Sequence, residues 1–225
     1  MLHDVCLQGL PVVFALDRAG VVGEDGPTHH GAYDLSYLRA MPGMVVSVPR
    51  DEPTLRALLR VGLAHEGPFA LRYPRGQVPA EPLPLDPQTV RIGRGELVRD
   101  GADAAVCVLG PLVYQALEAA EMLAGEGLDV AVFDARFAKP VDGEMITALA
   151  RRTGRLLTVE DGVAGGGFGS AVLESLARSG DLQRIAVRTM GLPDQPVPHG
   201  PARELLRSCG LSAEGIAAAV RGMLR

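Results

Sequence analysis

The chain contains 225 residues, of which 47% are hydrophobic and only 4% aromatic, so its core must consist mainly of aliphatic side chains. That composition favours an α/β protein over an aromatic-rich β sandwich. The formal net charge of −5, with no run of basic residues, argues against a nucleic-acid-binding surface.

The cysteine spacing and the lack of a recognisable signal peptide indicate the compartment in which the protein is expected. The three cysteines lie far apart without a Cys-x-x-Cys spacing, which argues against both a disulfide framework and a zinc site. The N-terminus lacks the basic start and apolar run of a signal peptide, and no later stretch is a candidate membrane span. We therefore expect a cytoplasmic protein that binds neither nucleic acid nor membranes.

Short apolar runs alternate with stretches of helical periodicity along the whole chain, as in βα units on a parallel sheet. The chain begins in a helical pattern that continues to Gly9. The predicted strands are 10–16, 44–48, 69–73, 104–109, 130–133, 156–159 and 185–189. The predicted helices are 52–64, 112–124 and 212–224.

A proline-rich segment divides the chain into two predicted domains. Four prolines fall within residues 77–87, which is too many for a helix or a central strand. We therefore place a linker at 79–92, between a first domain at 1–78 and a second at 93–225. Because only three strands precede the linker, we expect the first sheet to keep an unpaired edge.

The densest group of polar side chains lies in residues 17–31, directly after the first predicted strand. In open α/β sheets, ligands bind beyond the carboxyl ends of the strands, where loops direct side chains toward one point. Glycines in this loop let the backbone turn sharply and approach a ligand closely. The segment is a candidate binding loop, and the alternative is a solvated surface loop.

Two arginines follow neighbouring units of the predicted sheet. Arg18 comes after the strand at 10–16, and Arg75 comes after the strand at 69–73. Two guanidinium groups that converge on one crevice suit a phosphate or a carboxylate, because each donates paired, charge-assisted hydrogen bonds. Taken singly, either arginine would be an ordinary surface ion-pair partner. Together with the imidazoles of the loop, they predict an anion site.

The glycine-rich segment 161–170 follows a strand and opens a helix, as a dinucleotide-binding loop does. It lacks the third glycine of G-x-G-x-x-G, and no acidic strand end follows at the expected distance. We therefore interpret it as a tight strand-to-helix turn. Glu160 and Asp161 are expected to pair with helix N-termini or arginines rather than to act as an acid and a base.

Residues 17–35, with the sequence DRAGVVGEDGPTHHGAYDL, combine with RYPRG at 72–76 and GLPD at 191–194. This combination resembles the 1-deoxy-D-xylulose-5-phosphate synthases, which are transketolase-like thiamine-diphosphate enzymes. The resemblance implies that 1–78 is the later half of a pyrimidine-binding domain and that 93–225 is a transketolase C-terminal-like domain. It also implies a decarboxylative condensation of pyruvate with glyceraldehyde 3-phosphate, a transferase reaction of non-mevalonate isoprenoid (terpenoid) biosynthesis.

The resemblance assigns roles by position. Arg18 and Arg75 would grip the phosphate of the acceptor, while Asp25 and His29 would face its hydroxyl and reacting carbonyl. His30 is added as a substrate-binding residue, at a position where the family often has another polar side chain.

The same resemblance bears on the cofactors and on the assembly. Thiamine diphosphate and Mg²⁺ would bind in the complete enzyme, but the family's motifs for them do not occur in this chain. We therefore expect the C-terminal portion of a larger homodimeric enzyme, inactive without the missing N-terminal portion.

Two other classes of protein remain open. A non-catalytic dimerisation or binding module could derive from a transketolase-like C-terminal domain, but a scaffold has no reason to carry the titratable groups of residues 25–30. An acyl-carrier or sugar-phosphate enzyme acting alone would need a nucleophile or a metal-binding set that the sequence does not provide.

Overall fold

The computed structural model describes residues 1–224 and contains two β-sheets flanked by helices. A π-helical turn at Leu2–Cys6 opens the chain. It is followed by β1 (Val13–Leu16), α1 (Asp34–Ala40), β2 (Val45–Ser47), α2 (Glu52–Leu63) and β3 (Phe69–Arg72). After the proline-rich segment come β4 (Glu96–Arg99), β5 (Ala104–Val108), α3 (Val113–Ala124), β6 (Val130–Asp134), β7 (Phe137–Lys139), α4 (Gly143–Thr153), β8 (Arg155–Val163), α5 (Phe168–Ser179), β9 (Ala186–Leu192), α6 (Ala202–Ser208) and α7 (Ala213–Leu224).

The α/β class predicted from the sequence is confirmed. The first sheet has the strand order β1-β3-β2-β7, and the second has the order β4-β6-β5-β8-β9. Strands pair in parallel within each sheet, except that β7 and β4 join their sheets antiparallel. Every residue of β5 and β6 is buried, as expected for central strands covered on both faces.

The elements differ from the sequence-based predictions in their bounds and in their number, and helices α1, α4 and α6 were not predicted. The first strand begins at Val13 rather than at residue 10, because Pro11 has no N–H and Val12 turns back to donate to the carbonyl of Leu10 at 2.9 Å. The antiparallel strands β4 and β7 were not predicted at all. Both are short strands at the edge of a sheet, where a continuous apolar run is not required.

The second half of the chain completes the first sheet. Strand β7 pairs with β2, placing Lys139 opposite Val46 and Phe137 opposite Ser47. Lys139, the only lysine in the chain, also donates from Nζ to the carbonyl oxygen of Arg39 at 2.9 Å, near the end of α1. The edge beside β2 is therefore covered by β7, and the first sheet has four strands rather than the three that were predicted.

A shared apolar core connects the two halves of the chain. Leu35 and Leu38 of α1 and Val46 of β2 belong to the same buried cluster as Phe133 of β6 and Phe168 of α5, and all five are fully buried. The proline-rich segment forms only one short 3₁₀ turn, at Pro87–Thr89. The domain boundary at 79–92 stays a prediction. None of the helices in residues 1–224 is both long and apolar enough to cross a lipid bilayer.

Candidate active site

The two predicted binding segments lie side by side at one edge of the first sheet. Strands β1 and β3 are parallel neighbours, with Leu16 opposite Arg72, so the loops that follow them start together. The N–H of Ala19 donates to the carbonyl of Tyr73 at 3.1 Å, which joins the two loops directly. The structure thus brings Arg18 and Arg75 to the same end of neighbouring strands.

The backbone of loop 17–31 is pinched at its base. Gly20 donates to the carbonyl of Gly31 at 3.0 Å, and Gly31 donates to the carbonyl of Arg18 at 3.1 Å. A Cβ at Gly31 would lie 2.4 Å from the carbonyl oxygen of Arg18, so only glycine fits there. Arg18 itself has φ of 59°, a conformation that is unfavourable for a side-chain-bearing residue and that occurs preferentially at functional sites.

Asp25 lies between the two arginines. Its Oδ2 is 2.6 Å from Nη1 of Arg75 and 3.6 Å from Nη1 of Arg18. The side chains are 31% exposed for Asp25, 62% for Arg75 and 42% for Arg18, so solvent and a ligand can reach all three. A carboxylate of the protein thus contacts both guanidinium groups, and the anion site predicted from the sequence stays a prediction.

His29 is exposed on the same loop, four positions after Asp25. Its Nδ1 lies 3.0 Å from Oγ1 of Thr28, which orients the ring and leaves Nε2 for a ligand. Among residues 1–224, no hydrogen bond joins His29 to Asp25. The pairing of these two side chains, left open by the sequence, is therefore absent from this arrangement.

His30 is held on both sides by the backbone. The N–H of Val22 donates to Nδ1 of His30 at 3.2 Å, so Nε2 carries the proton and donates to the carbonyl of Pro198 at 3.3 Å. Pro198 belongs to the second half of the chain, between β9 and α6. His30 thus fastens the loop to that half, a role that the sequence did not indicate.

Arg72 belongs to the RYPRG segment but does not reach the anion site. Its side chain is completely buried and donates to Asp34 at 2.7 Å, to Asp161 in β8, and to the carbonyl of Gly31 at 2.9 Å. Burial raises the pKa of Asp34, and the charge of Arg72 opposes that shift. Arg72 therefore ties the end of the binding loop to both halves of the chain, and sequence reasoning missed this because its partners are distant in sequence.

The glycine-rich segment forms the strand-to-helix turn that the sequence predicted. Glu160 is buried and accepts from the N–H groups of Phe168 and Gly169, both at 2.8 Å, at the start of α5. A Cβ at Gly167 would lie 2.1 Å from the Glu160 carboxylate, so glycine is required for this approach. Burial raises the pKa of Glu160 to about 7, while the two backbone hydrogen bonds act against the rise. Glu160 and Asp161 are thus partners of a helix N-terminus and of an arginine, as expected.

A second buried ionic group lies where the two halves meet. Arg50 is fully buried and donates to Asp134 at 2.9 Å and to Glu96 at 2.7 Å. Burial raises the pKa of Asp134 to about 6, against the opposing charge of Arg50. Arg50 also lines a cavity of about 460 Å³ together with Tyr73 and Pro74.

The site lacks the carboxylates that a metal-bound diphosphate would need. Mg²⁺ is usually held by one or two carboxylates together with phosphate oxygens. No group of three or more His, Cys, Asp or Glu side chains in residues 1–224 could hold a metal ion. The single carboxylate between Arg18 and Arg75 is already engaged by both, so these residues do not fit a metal–diphosphate group.

Two family models match the chain. The transketolase pyrimidine-binding domain matches residues 1–81, and the transketolase C-terminal domain matches residues 93–216. A solved structure described as "Split gene transketolase, inactive beta4 tetramer" is similar with a TM-score of 0.88 and 34% sequence identity. That match covers 99% of this chain and 70% of the other.

Curated relatives are similar over the whole chain. The 1-deoxy-D-xylulose-5-phosphate synthase 1 of Geobacter sulfurreducens is 51% identical over 224 residues, covering 100% of this chain and 35% of the relative. The corresponding protein of Geobacter metallireducens is 52% identical and covered to 36%, and that of Aquifex aeolicus is 50% identical and covered to 35%. The chain thus spans about a third of the length of these relatives.

Proposed function

The chain belongs to the transketolase family of thiamine-diphosphate-dependent transferases, and we propose that it forms the acceptor-binding part of a 1-deoxy-D-xylulose-5-phosphate synthase. The reaction is the decarboxylative condensation of pyruvate with glyceraldehyde 3-phosphate, which serves isoprenoid biosynthesis. About 50% identity to synthases over the whole chain supports this assignment. The observation that carries it is the convergence of Arg18 and Arg75 at one edge of the sheet.

The two arginines would bind the phosphate of the acceptor. A phosphate has several oxygens and two negative charges near neutral pH, so it can accept hydrogen bonds from both guanidinium groups at once. The positive φ of Arg18 supports a functional interpretation, since strained backbone conformations occur preferentially at functional sites. With the phosphate fixed, the aldehyde end of the acceptor would extend along loop 17–31.

His29 would act on the acceptor carbonyl. When the new carbon–carbon bond forms, the carbonyl oxygen becomes an alkoxide, which must accept a hydrogen bond or a proton. The Thr28 contact engages Nδ1 of His29 and leaves Nε2 available for this purpose, and imidazole exchanges protons near neutral pH. In its protonated form the ring would pass its Nε2 proton to the alkoxide and recover one from solvent.

Asp25 and His30 would have distinct tasks. Asp25 would accept a hydrogen bond from the acceptor hydroxyl, since its carboxylate lies on the same loop as His29. His30, predicted to bind substrate, enters the proposal as a positioning residue because backbone groups occupy both of its ring nitrogens. It would keep the loop against the second half of the chain rather than contact the substrate.

The complete assembly requires further parts. We propose that residues outside this chain, in the N-terminal portion that full-length relatives possess, hold thiamine diphosphate and Mg²⁺, since the family's motifs for them do not occur in this chain. We further propose a cytoplasmic, homodimeric enzyme, as implied by the family, in which this portion alone has no activity.

A chimera tests the proposal. This chain would replace the matching C-terminal third of the Geobacter sulfurreducens synthase, to which it is 51% identical. The chimera should convert pyruvate and glyceraldehyde 3-phosphate to the product, and Arg75→Ala in the chimera should impair use of the acceptor. A folded chimera that binds cofactor and pyruvate but gives no product would favour the alternative, a non-catalytic dimerisation or binding module.

A further inference from the structure

The cavity beside Arg50 is separate from the candidate active site. Its volume of about 460 Å³ lies within the range of about 300–1,000 Å³ that is typical of small-molecule sites. Among the described residues, its lining includes neither Arg75 nor any member of loop 17–31. The cavity is therefore a second place at which this chain could bind a ligand.

The walls of the cavity come from three loops, each of which follows a strand. Residues of 49–52 follow β2, residues of 73–79 follow β3, and residues of 111–115 follow β5. Strands β2 and β3 are parallel neighbours in the first sheet, whereas β5 belongs to the second sheet. Ligands of α/β proteins bind beyond the carboxyl ends of parallel strands, and the cavity has this position where the two halves of the chain meet.

The charged groups in the wall already have partners within the protein. Every guanidinium nitrogen of Arg50 donates to a protein acceptor, at 2.7–3.3 Å. Asp51 accepts from the hydroxyl of Tyr114 at 2.8 Å, and Glu52 pairs with Arg56 at 2.6 Å. Because a charged ligand would have to break these pairs, the cavity suits a neutral one.

The remaining walls are mainly apolar and rich in rings. Four prolines and two half-buried tyrosines line the cavity, namely Pro49, Pro74, Pro79, Pro111, Tyr73 and Tyr114. Such side chains offer apolar surfaces against which the face or edge of an aromatic ring packs. The lining thus favours a flat, aromatic ligand over a flexible polar one.

One polar group in the wall lacks a partner. The side-chain oxygen of Gln115, Oε1, is buried and accepts no hydrogen bond within residues 1–224. Buried polar atoms in folded proteins almost always have a hydrogen-bond partner, so an exception calls for an explanation. Since Gln115 lines the cavity, an N–H group of a ligand there could supply the missing donor.

We propose that this cavity binds a neutral, flat heteroaromatic ring whose N–H donates to Oε1 of Gln115. The engaged charges select against anions and cations, the proline and tyrosine rings pack against the ring, and Gln115 selects a donor. Indole is a simple member of this class of ligand. The site goes beyond the proposed function, because none of the groups assigned to the acceptor contributes to it.

The test uses indole as the probe, in the 225-residue chain and in the chimeric synthase. The matched probe is 1-methylindole, which has the same ring system but no N–H donor. Because the chain contains no tryptophan, the emission of either probe can be followed without a protein background, and it should shift to the blue when the ring leaves water.

Three variants identify the cavity as the site. Leu55→Phe enlarges a side chain in the wall and should block entry of the ring. Leu63→Phe is its control, because Leu63 ends the same helix α2 but is 71% exposed and lies outside the wall. Gln115→Leu keeps an apolar side chain of similar size and removes the acceptor.

Wild type should bind indole with a dissociation constant of about a millimolar or tighter. It should prefer indole over 1-methylindole about two- to tenfold, the range of one neutral hydrogen bond. Gln115→Leu should lose this preference. Leu55→Phe should weaken indole binding about tenfold or more, whereas Leu63→Phe should bind as wild type does.

Each contrary outcome overturns a stated part of the proposal. If wild type does not bind indole, or a folded Leu55→Phe binds it undiminished, the cavity is not a binding site. If Leu55→Phe does not fold, the backbone amide resonances of wild type decide: shifts caused by indole outside 49–52, 73–79 and 111–115 would also rule out the cavity. Equal affinity of wild type for the two probes would refute the role of Gln115.

The chimera supplies a further outcome. Indole binding by this chain that is lost in the chimeric synthase would show that the N-terminal portion covers the cavity, which would overturn the proposal of a ligand site. None of these results bears on the acceptor site, whose failure would appear in the Arg18 and Arg75 variants instead.

Discussion

Replacing Arg72 with Met should destabilise the chain strongly, because it leaves two carboxylates buried without their counter-charge. Asp34 is 6% exposed and Asp161 is 7% exposed, and each pairs with the guanidinium of Arg72. Breaking a buried ion pair by removing one partner costs about 3–5 kcal/mol. Because whole domains unfold at a cost of only about 5–15 kcal/mol, Arg72→Met should lose a large fraction of the stability.

Urea unfolding of wild type and Arg72→Met measures this cost. The control is the triple variant Arg72→Met, Asp34→Asn, Asp161→Asn, which removes the unpaired charges and should recover part of the lost free energy of unfolding. The deficit of the single variant should also shrink as the pH falls, because Asp34, whose pKa is raised by burial, binds a proton more readily when the chain is folded. A loss below about 1 kcal/mol, or a deficit that grows at low pH, would refute the assigned role of Arg72.

Three further predictions concern the two arginines and His29 of the candidate site, and the buried Glu160. In the chimeric synthase, Arg18→Ala or Arg75→Ala should raise the KM for glyceraldehyde 3-phosphate about ten- to a hundred-fold, since a hydrogen bond to a charged group contributes about 1.5–3 kcal/mol. The reaction of an aldehyde without phosphate should be nearly unaffected, and an equal loss on both aldehydes would show that these arginines are structural. His29→Asn should slow the step after acceptor binding about a hundred- to ten-thousand-fold in single-turnover experiments, whereas an unchanged rate of acceptor capture would exclude the catalytic role. Burial raises the pKa of Glu160 from 4.5 to about 7, so the folded chain retains a proton that the unfolded chain loses in this window, and stability should fall as the pH rises through it. Glu160→Gln should make the unfolding free energy less dependent on pH between those values, and an unchanged pH profile would contradict the buried, proton-binding state of Glu160.

Much of the fold followed from local sequence patterns. The buried central strands and the amphipathic helices α2 and α3 could be located because their apolar periodicity is continuous over the element. Helix α2 also has a recognisable start, since the Asp51 side chain accepts from the N–H of Thr54 at 3.0 Å. Strand β7 could not be found in this way. Its three residues pair with β2, which lies about ninety positions earlier, and no local pattern encodes such a contact.

The candidate site, like the fold, could be predicted from the sequence only in part. The convergence of Arg18 and Arg75 could be expected because both follow neighbouring parallel strands, and parallel strands end at the same edge. The sequence did not reveal that Asp25 would contact both of them, nor that His30 would donate to Pro198 in the second half of the chain. Those contacts depend on how the loop folds back and on how the two halves meet, which is a property of the tertiary structure.

The most direct test of the acceptor site is calorimetric titration of this chain with glyceraldehyde 3-phosphate and, separately, with glyceraldehyde. We predict that only the phosphorylated compound binds measurably, and that the double variant Arg18→Ala, Arg75→Ala abolishes this binding while keeping the fold. Equal affinity for the two aldehydes, or undiminished binding of the phosphorylated one by the double variant, would contradict the central claim that these arginines hold the acceptor phosphate.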